Sequence, residues 1–389
     1  MREFFGINEA VLVEKKAFNT AVEISQQPEL WQETFEKINR EKEKIAKFIN
    51  EKLKNKDLRI ILTGAGTSAY IGDTLYPYIM NSTNKRVESI PTTTLVTNAK
   101  EFLQKDKPTL VISFARSGNS PESVGVYEIC EKLIDECYQI VITCAADGAL
   151  AKRAQNSENS LVILMPERSN DKGFAMTGAF TCMVLATVLI FNINNLDAIE
   201  KDVRNIIIHA RRIINKEFNS IKKLVDKEYE RVVYLGSGSL YGLSKEAALK
   251  NLELTSGKVD TYSESVLGFR HGPKSIMNDR TLVVVFISND EYIRLYDRDI
   301  AREIFGDNGN HKIVAIGYKY NKEINDVCDE YYYLDEKEDG IDILAVLDYI
   351  LFAQIFAFFN SLRNGVYPDD PKPDGTVNRV VQGVNIYDI

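Results

Sequence analysis

Apolar positions along this chain fall in short blocks, and several of the blocks occur twice. LRIILTGAGTSAY (58–70) and ERVVYLGSGSLYG (230–242) each run apolar and then break into Gly-x-Gly-Thr/Ser. TLVISF (109–114) is matched in the same way by TLVVVF (281–286). Gly64 to Gly236 and Thr109 to Thr281 are both 172 positions apart, and QIVIT (139–143) lies at nearly that distance from HKIVAI (311–316). Blocks recurring at a fixed spacing mark a duplicated unit. Short apolar strands alternating with helical stretches predict parallel α/β units. Long apolar helices close the two copies, over 175–192 and 342–360. Each copy is therefore expected to be a five-stranded parallel sheet, doubly wound, with helices on both faces.

Ahead of the copies, 20–55 is rich in Lys and Glu, with Trp31, Phe35, Ile38, Ile45, Phe48 and Ile49 at helical spacing. This predicts helices with a solvated charged face. The expected organisation is an N-terminal helical segment over 1–50, a first domain over 51–195, a second over 205–362 and a tail over 363–389. The tail becomes loop-like at its Pro-Asp cluster. It then turns too rich in Val, Ile and Tyr to stay free, and is expected to dock on the body near the active site.

Composition narrows the classes. The 389 residues are 44% hydrophobic and 27% charged, with a net charge of −8. That balance argues against a nucleic-acid partner. The first residues carry no signal-peptide pattern. The apolar runs near 179–193 and 341–359 are short or interrupted by Asp348 and Gln354, so they read as buried helices rather than membrane spans. A cytoplasmic protein is expected. Five cysteines, an odd number with no CxxC pair, read as buried thiols. Three histidines leave little room for a histidine-rich metal site.

Ligands of open α/β sheets sit at the carboxyl ends of strands, where the strand order reverses. In the commonest five-strand winding, strands 1 and 3 flank that point. Here strand 1 of the first copy ends in Gly64-Ala65-Gly66-Thr67-Ser68, and strand 3 in Ala115-Arg116-Ser117-Gly118-Asn119-Ser120. Helix N-termini with hydroxyls at Thr67, Ser68, Ser117 and Ser120, and the charge of Arg116, compose a phosphate pocket. The same residues are also ordinary caps and turns. Gly64-x-Gly66-x-x-Ala69 with Glu88 after strand 2 leaves a dinucleotide site open as well.

In the second copy the strand-3 loop is Ile287-Ser288-Asn289-Asp290-Glu291, acidic and hostile to phosphate. That copy instead carries Glu246, Lys250 and Glu253 on one helical face, either as chemistry or as a solvated ladder of ion pairs. Beyond them, His271 lies on a turn between Arg270 and Gly272-Pro273, where it is the best acid/base candidate among the three histidines.

These residues resemble the tandem sugar-isomerase (SIS) fold, which forms the isomerase half of glucosamine-6-phosphate synthase. EISQQPELW (23–31), GFAMTGAFT (173–181), GFRHGPKS (268–275) and GTVNRVVQGVNIY (375–387) resemble the galactosamine-6-phosphate deaminase/isomerase family, long called tagatose-6-phosphate ketose/aldose isomerase. The resemblance implies that Gly66, Thr67, Ser68, Ser117 and Ser120 bind phosphate. It makes Glu253 the base between C1 and C2, Lys250 a neighbour of the sugar, and His271 the ring-opening residue supplied by a neighbouring subunit. Thr177 lies in a segment that lines the sugar pocket, and Arg379 falls where the synthase has a functional lysine.

Two departures stand out. Ala115 and Arg116 replace a serine and a glutamine of the synthase. Arg379 replaces a lysine, and guanidinium cannot act as a base. With Arg2 after Met1 where the synthase has its N-terminal cysteine, no glutaminase domain is expected, and ammonia release rather than addition is implied. The expected reaction converts galactosamine 6-phosphate to tagatose 6-phosphate and ammonia, with no metal or organic cofactor, in a homodimer or higher homo-oligomer with shared sites. Plain aldose–ketose isomerisation and a non-catalytic sugar-phosphate sensor remain as alternatives.

Overall fold

The computed structural model describes residues 2–335, 340–381 and 383–389. Its first sheet is built from β1 (Arg59–Thr63), β2 (Arg86–Ser89), β3 (Thr109–Ala115), β4 (Cys137–Thr143) and β5 (Ser160–Leu164). The strands lie in the order β2-β1-β3-β4-β5, all parallel. The second sheet is built from β6 (Arg231–Gly236), β7 (Asp260–Ser265), β8 (Thr281–Phe286), β9 (Lys312–Lys319) and β10 (Glu330–Asp335). Its order is β7-β6-β8-β9-β10, again all parallel. The winding is the same in both. So is the register: Arg59 stands opposite Thr109 in one sheet and Arg231 opposite Thr281 in the other. The α/β class, the tandem doubly wound sheets and the N-terminal helices are as the sequence predicts.

The chain folds as two compact units. The first sheet's unit comprises 29–172, 176–203 and 372–389; the second sheet's comprises 1–28, 173–175 and 204–371. The central strands β1, β3 and β8 are buried throughout, as expected where helices cover both faces. Each unit has one helix that is apolar all round and therefore buried: Gly178–Phe191 in the first, Asp342–Arg363 in the second. Asp342–Arg363 is long and apolar enough to cross a membrane by length and composition, and it is almost wholly buried inside its unit.

Around these cores the polar residues tie down the peripheral segments. Trp31 donates its indole N–H to Thr181 in the first unit (3.0 Å). Gln27 donates to Gln354 in the second (2.6 Å). Asp369 accepts from the backbone of Asn19 and Thr20 and from the Thr20 hydroxyl, so it caps the Phe18–Ser25 helix from 349 positions away. The far end of the tail packs elsewhere. Ile386 lies over Gly125, where a Cβ would stand 3.0 Å from its Cγ2, and Ile389 joins the apolar cluster of the first unit.

Candidate functional site

The twin Gly-x-Gly turns have the same mechanical cause in both copies. A Cβ on Gly64 would come within 2.5 Å of the Ser68 backbone, and one on Gly236 within 2.4 Å of Leu240. The second glycines, Gly66 and Gly238, have φ of +57° and +56°, which only glycine adopts readily. The glycines are thus fully explained by a sharp strand-to-helix turn. Glu88, the acidic residue a dinucleotide would need, is engaged in β2 by Arg59 (2.5 Å) and Arg86 (3.0 Å).

β1 and β3 are neighbours, so the loops that follow them emerge together at the first sheet's switch point. Thr67 and Ser68 are buried in the first turn of the Thr67–Thr83 helix. After β3, Ser117 accepts from the Asn119 backbone N–H (3.3 Å) and Gly118 takes φ +62°. Ser120 stands at the N-cap of Pro121–Leu133 but makes no side-chain cap bond; its hydroxyl pairs with that of Ser123 (2.6 Å).

Arg116 makes a contact that the loop sequence does not reveal. Its guanidinium is buried and donates to the backbone carbonyl of Arg379 (2.8 Å). The Arg379 guanidinium in turn donates to the carbonyl of Asp171. Asp171 itself is fully buried and accepts from the Thr177 N–H (2.8 Å), the Ala179 N–H (2.9 Å) and the Thr177 hydroxyl (3.2 Å). Burial raises its pKa, against the opposing pull of those backbone donors and of Arg116. The structure thus joins three expected residues, Arg116, Arg379 and Thr177, through a fourth that the sequence reading passed over.

In the second unit the Ser239–Leu254 helix carries Glu246, Lys250 and Glu253. These do not form a solvated ladder. Glu246 and Lys250 are fully buried, while the Glu253 side chain keeps 26% of its exposure. The Lys250 ammonium lies 3.4 Å from Glu246 and 2.6 Å from Glu253. Burial works to lower the Lys250 pKa, but the two carboxylates outweigh it and hold the ammonium above its ordinary value. The lysine is thereby held in its charged form against a carboxylate that still faces solvent.

His271 is exposed on the turn between Gly268–Arg270 and Pro273–Ile276. The turn is pinned on both sides. Arg270 and Lys274 converge on Glu303 (2.6 and 2.7 Å), and Phe269 is buried in the core. Among the described residues no hydrogen bond or ion pair joins the His271 ring to Glu253.

The second sheet's switch point is occupied by its own carboxylates. Asp297 accepts from Ser237 in the strand-1 loop (3.4 Å) and from the Ser288 N–H in the strand-3 loop (2.9 Å). Asp342 accepts from the Ser288 hydroxyl (2.5 Å) and the Asn289 N–H (2.7 Å).

A SIS domain matches residues 52–193, the stretch that holds the first sheet. The D-galactosamine-6-phosphate deaminase AgaS of Escherichia coli is 40% identical over 369 residues, covering 95% of each chain. The chain belongs to the AgaS family. Solved structures agree with this membership. One from Clostridium novyi NT, provisionally called a tagatose-6-phosphate ketose/aldose isomerase, is 45% identical with a TM-score of 0.97 and covers both chains entirely. The tagatose-6-phosphate ketose/aldose isomerase of Escherichia coli is 37% identical with a TM-score of 0.85, covering 95% of this chain and 96% of its own.

Within this AgaS-family chain, sequence reasoning missed Asp171, Asp297 and Asp342, and left the burial of Glu246 open. For Glu246 a signal was present. Leu243, Ala247, Ala248 and Leu254 make the helix apolar around its charges, and a helix apolar on most sides is buried. Asp171 gave no such signal, because it caps a helix from six residues upstream instead of from the N-cap itself.

Proposed function

We propose that the chain is an amino-sugar-phosphate deaminase/isomerase converting galactosamine 6-phosphate and water to tagatose 6-phosphate and ammonia. The observation that carries the chemistry is the buried Glu246–Lys250–Glu253 cluster, whose outer carboxylate alone keeps access to solvent. The 40% identity to an enzyme named for this substrate carries the specificity. In this reading the hydroxyls and N–H groups at Gly66, Thr67, Ser68, Ser117 and Ser120 hold the phosphate. His271 assists ring opening. Glu253 takes the proton from C2 and returns it to C1, while a second proton passes from the nitrogen to O1, which leaves an alcohol at C1 and an imine at C2. Water adds to the imine carbon, the C–N bond breaks and ammonia departs, leaving the ketone. Lys250 offers positive charge to the oxygen that becomes electron-rich during enolisation. Arg379 acts as a ligand and not as a base.

The deciding experiment measures ammonia and ketose 6-phosphate from a panel of galacto- and gluco-configured hexosamine 6-phosphates. Equal amounts of ammonia and tagatose 6-phosphate from the galacto substrate are expected. Ketose formed only from amine-free aldose phosphates would replace this reading with plain isomerisation.

The reading extends to a cytoplasmic homo-oligomer in which His271 serves a neighbouring subunit. The exposed ring, with no bond to Glu253, and five thiols outside any disulfide support it. Mixing inactive Glu253→Gln and His271→Asn variants under subunit exchange tests it. If the residues belong to different chains, dimers should recover about a quarter of wild-type activity. No recovery despite proven exchange rejects the shared arrangement.

A further inference from the structure

We infer that Asp171 is a positioning residue for the sugar-phosphate pocket, fixing Thr177 through its carboxylate and Arg379 through its backbone carbonyl. The inference rests on the reading above for what the pocket binds, and on geometry for everything else. The first N–H groups of a helix need acceptors, ordinarily the side chain of the N-cap residue. At Gly178–Phe191 the N-cap is Thr177, with φ −130° and ψ −78°, and it makes no cap bond of its own. Asp171 does the capping instead, taking the Thr177 and Ala179 N–H groups on one carboxylate oxygen.

Its other oxygen receives the Thr177 hydroxyl proton. The hydroxyl is thereby held in one orientation on a side chain that is itself fully buried. The Asp171 carbonyl receives the Arg379 guanidinium, and the Arg379 carbonyl receives Arg116. Three separate stretches are closed into a ring: the loop after β3, the segment before the helix, and the C-terminal tail. The positive charge of Arg116 also acts on the Asp171 carboxylate. A buried carboxylate without these donors would be strongly disfavoured. The ring is therefore cooperative, and loosening Asp171 should release Thr177 and the tail together.

The test compares Asp171→Ala, Asp171→Asn and Arg379→Ala. Asp171→Ala is expected to raise KM for the sugar phosphate by roughly 10-fold while kcat stays within about 3-fold. Asp171→Asn should restore most of KM, because its amide oxygen still accepts the two backbone N–H bonds. The double variant Asp171→Ala/Arg379→Ala should be no worse in KM than the weaker single variant. Hydrogen exchange over 376–381 and 383–389 should speed up in Asp171→Ala while the strands of the first sheet keep their protection.

A variant that melts earlier but keeps wild-type KM and tail exchange overturns the proposal. If Asp171→Ala does not fold, Asp171→Glu displaces the carboxylate by one methylene and must show the same KM rise; a normal KM there overturns it equally. Should the wild type release no ammonia, the functional reading falls, and tail exchange still decides the role of Asp171.

Discussion

The two switch points are built alike and filled differently. In the first sheet, Ser120 at the helix N-cap turns its hydroxyl to Ser123 and makes no cap bond. In the second, Asp290 at the matching N-cap accepts the Ile293 N–H (3.0 Å), and Asp297 and Asp342 take the donors of the loops behind it. In the proposed reading, the same winding and the same Gly-x-Gly turn leave one cradle for the sugar phosphate, whereas carboxylates of the chain itself accept from the loops of the other. A preorganised set of N–H and hydroxyl donors is costly to leave unmet. Once a duplicated site no longer binds its ligand, internal carboxylates are the economical way to satisfy it. In the proposed reading the second copy contributes its chemistry from the helix after the turn, where Lys250 meets Glu253.

This division of labour can be broken in order of effect. Glu253→Gln keeps the shape and removes the base, so kcat should fall by roughly 10²–10⁴-fold with substrate binding largely retained. Normal turnover in steady-state assays would reduce the buried cluster to a structural feature. Ser117→Ala should raise KM roughly 10-fold, in keeping with a hydrogen bond lost to a charged group. The corresponding Ser288→Ala should leave KM near wild type and lower the melting temperature instead. Equal KM effects would refute the asymmetry.

Asp297 sharpens the contrast through pH. Burial first, and then the neighbouring Asp342, push its carboxyl from an ordinary 3.8 up to about 7, against the Ser288 N–H. Between about pH 4 and pH 7 the native state therefore binds a proton that the unfolded chain has released. Stability from this group should fall as pH rises through that window and level off above it. Thermal melts of Asp297→Asn across the range should show a flatter slope, and an unchanged slope would remove Asp297 from the account. The smallest effect is expected at Asp369→Ala, which loses the cap on Phe18–Ser25 and about 1 kcal/mol, measurable by denaturant unfolding.

Much of this frame was legible in the sequence. The 172-residue offset, the paired Gly-x-Gly turns and the two apolar helices fixed sheet count, winding and the location of the switch points, because each follows from local periodicity and backbone sterics. What was not legible concerns charged side chains whose surroundings are set by packing rather than by local spacing. For Arg116 the loop sequence suggests phosphate but gives no sign of its bond to the carbonyl of Arg379, 263 positions away. Glu246 and Lys250 have solvent-face spacing, and they are buried because their helix packs between Asp342–Arg363 and the strands Arg231–Gly236 and Asp260–Ser265. Asp297 lies mid-helix, where no capping rule looks for it.

The buried cation between two acids also limits how this helix can change over time. Removing Lys250 alone would press Glu246 and Glu253 together without a counter-charge, and removing Glu246 would leave an ammonium half compensated. Breaking a buried pair in this way commonly costs about 3–5 kcal/mol, whereas replacing the whole group with apolar residues can be neutral. Single substitutions at Lys250 or Glu246 are therefore costly while a joint replacement is open, and the joint replacement discards Glu253. The three positions should behave as one inherited character: a descendant keeps the cluster intact, or loses all of it in lineages that have ceased to use the reaction.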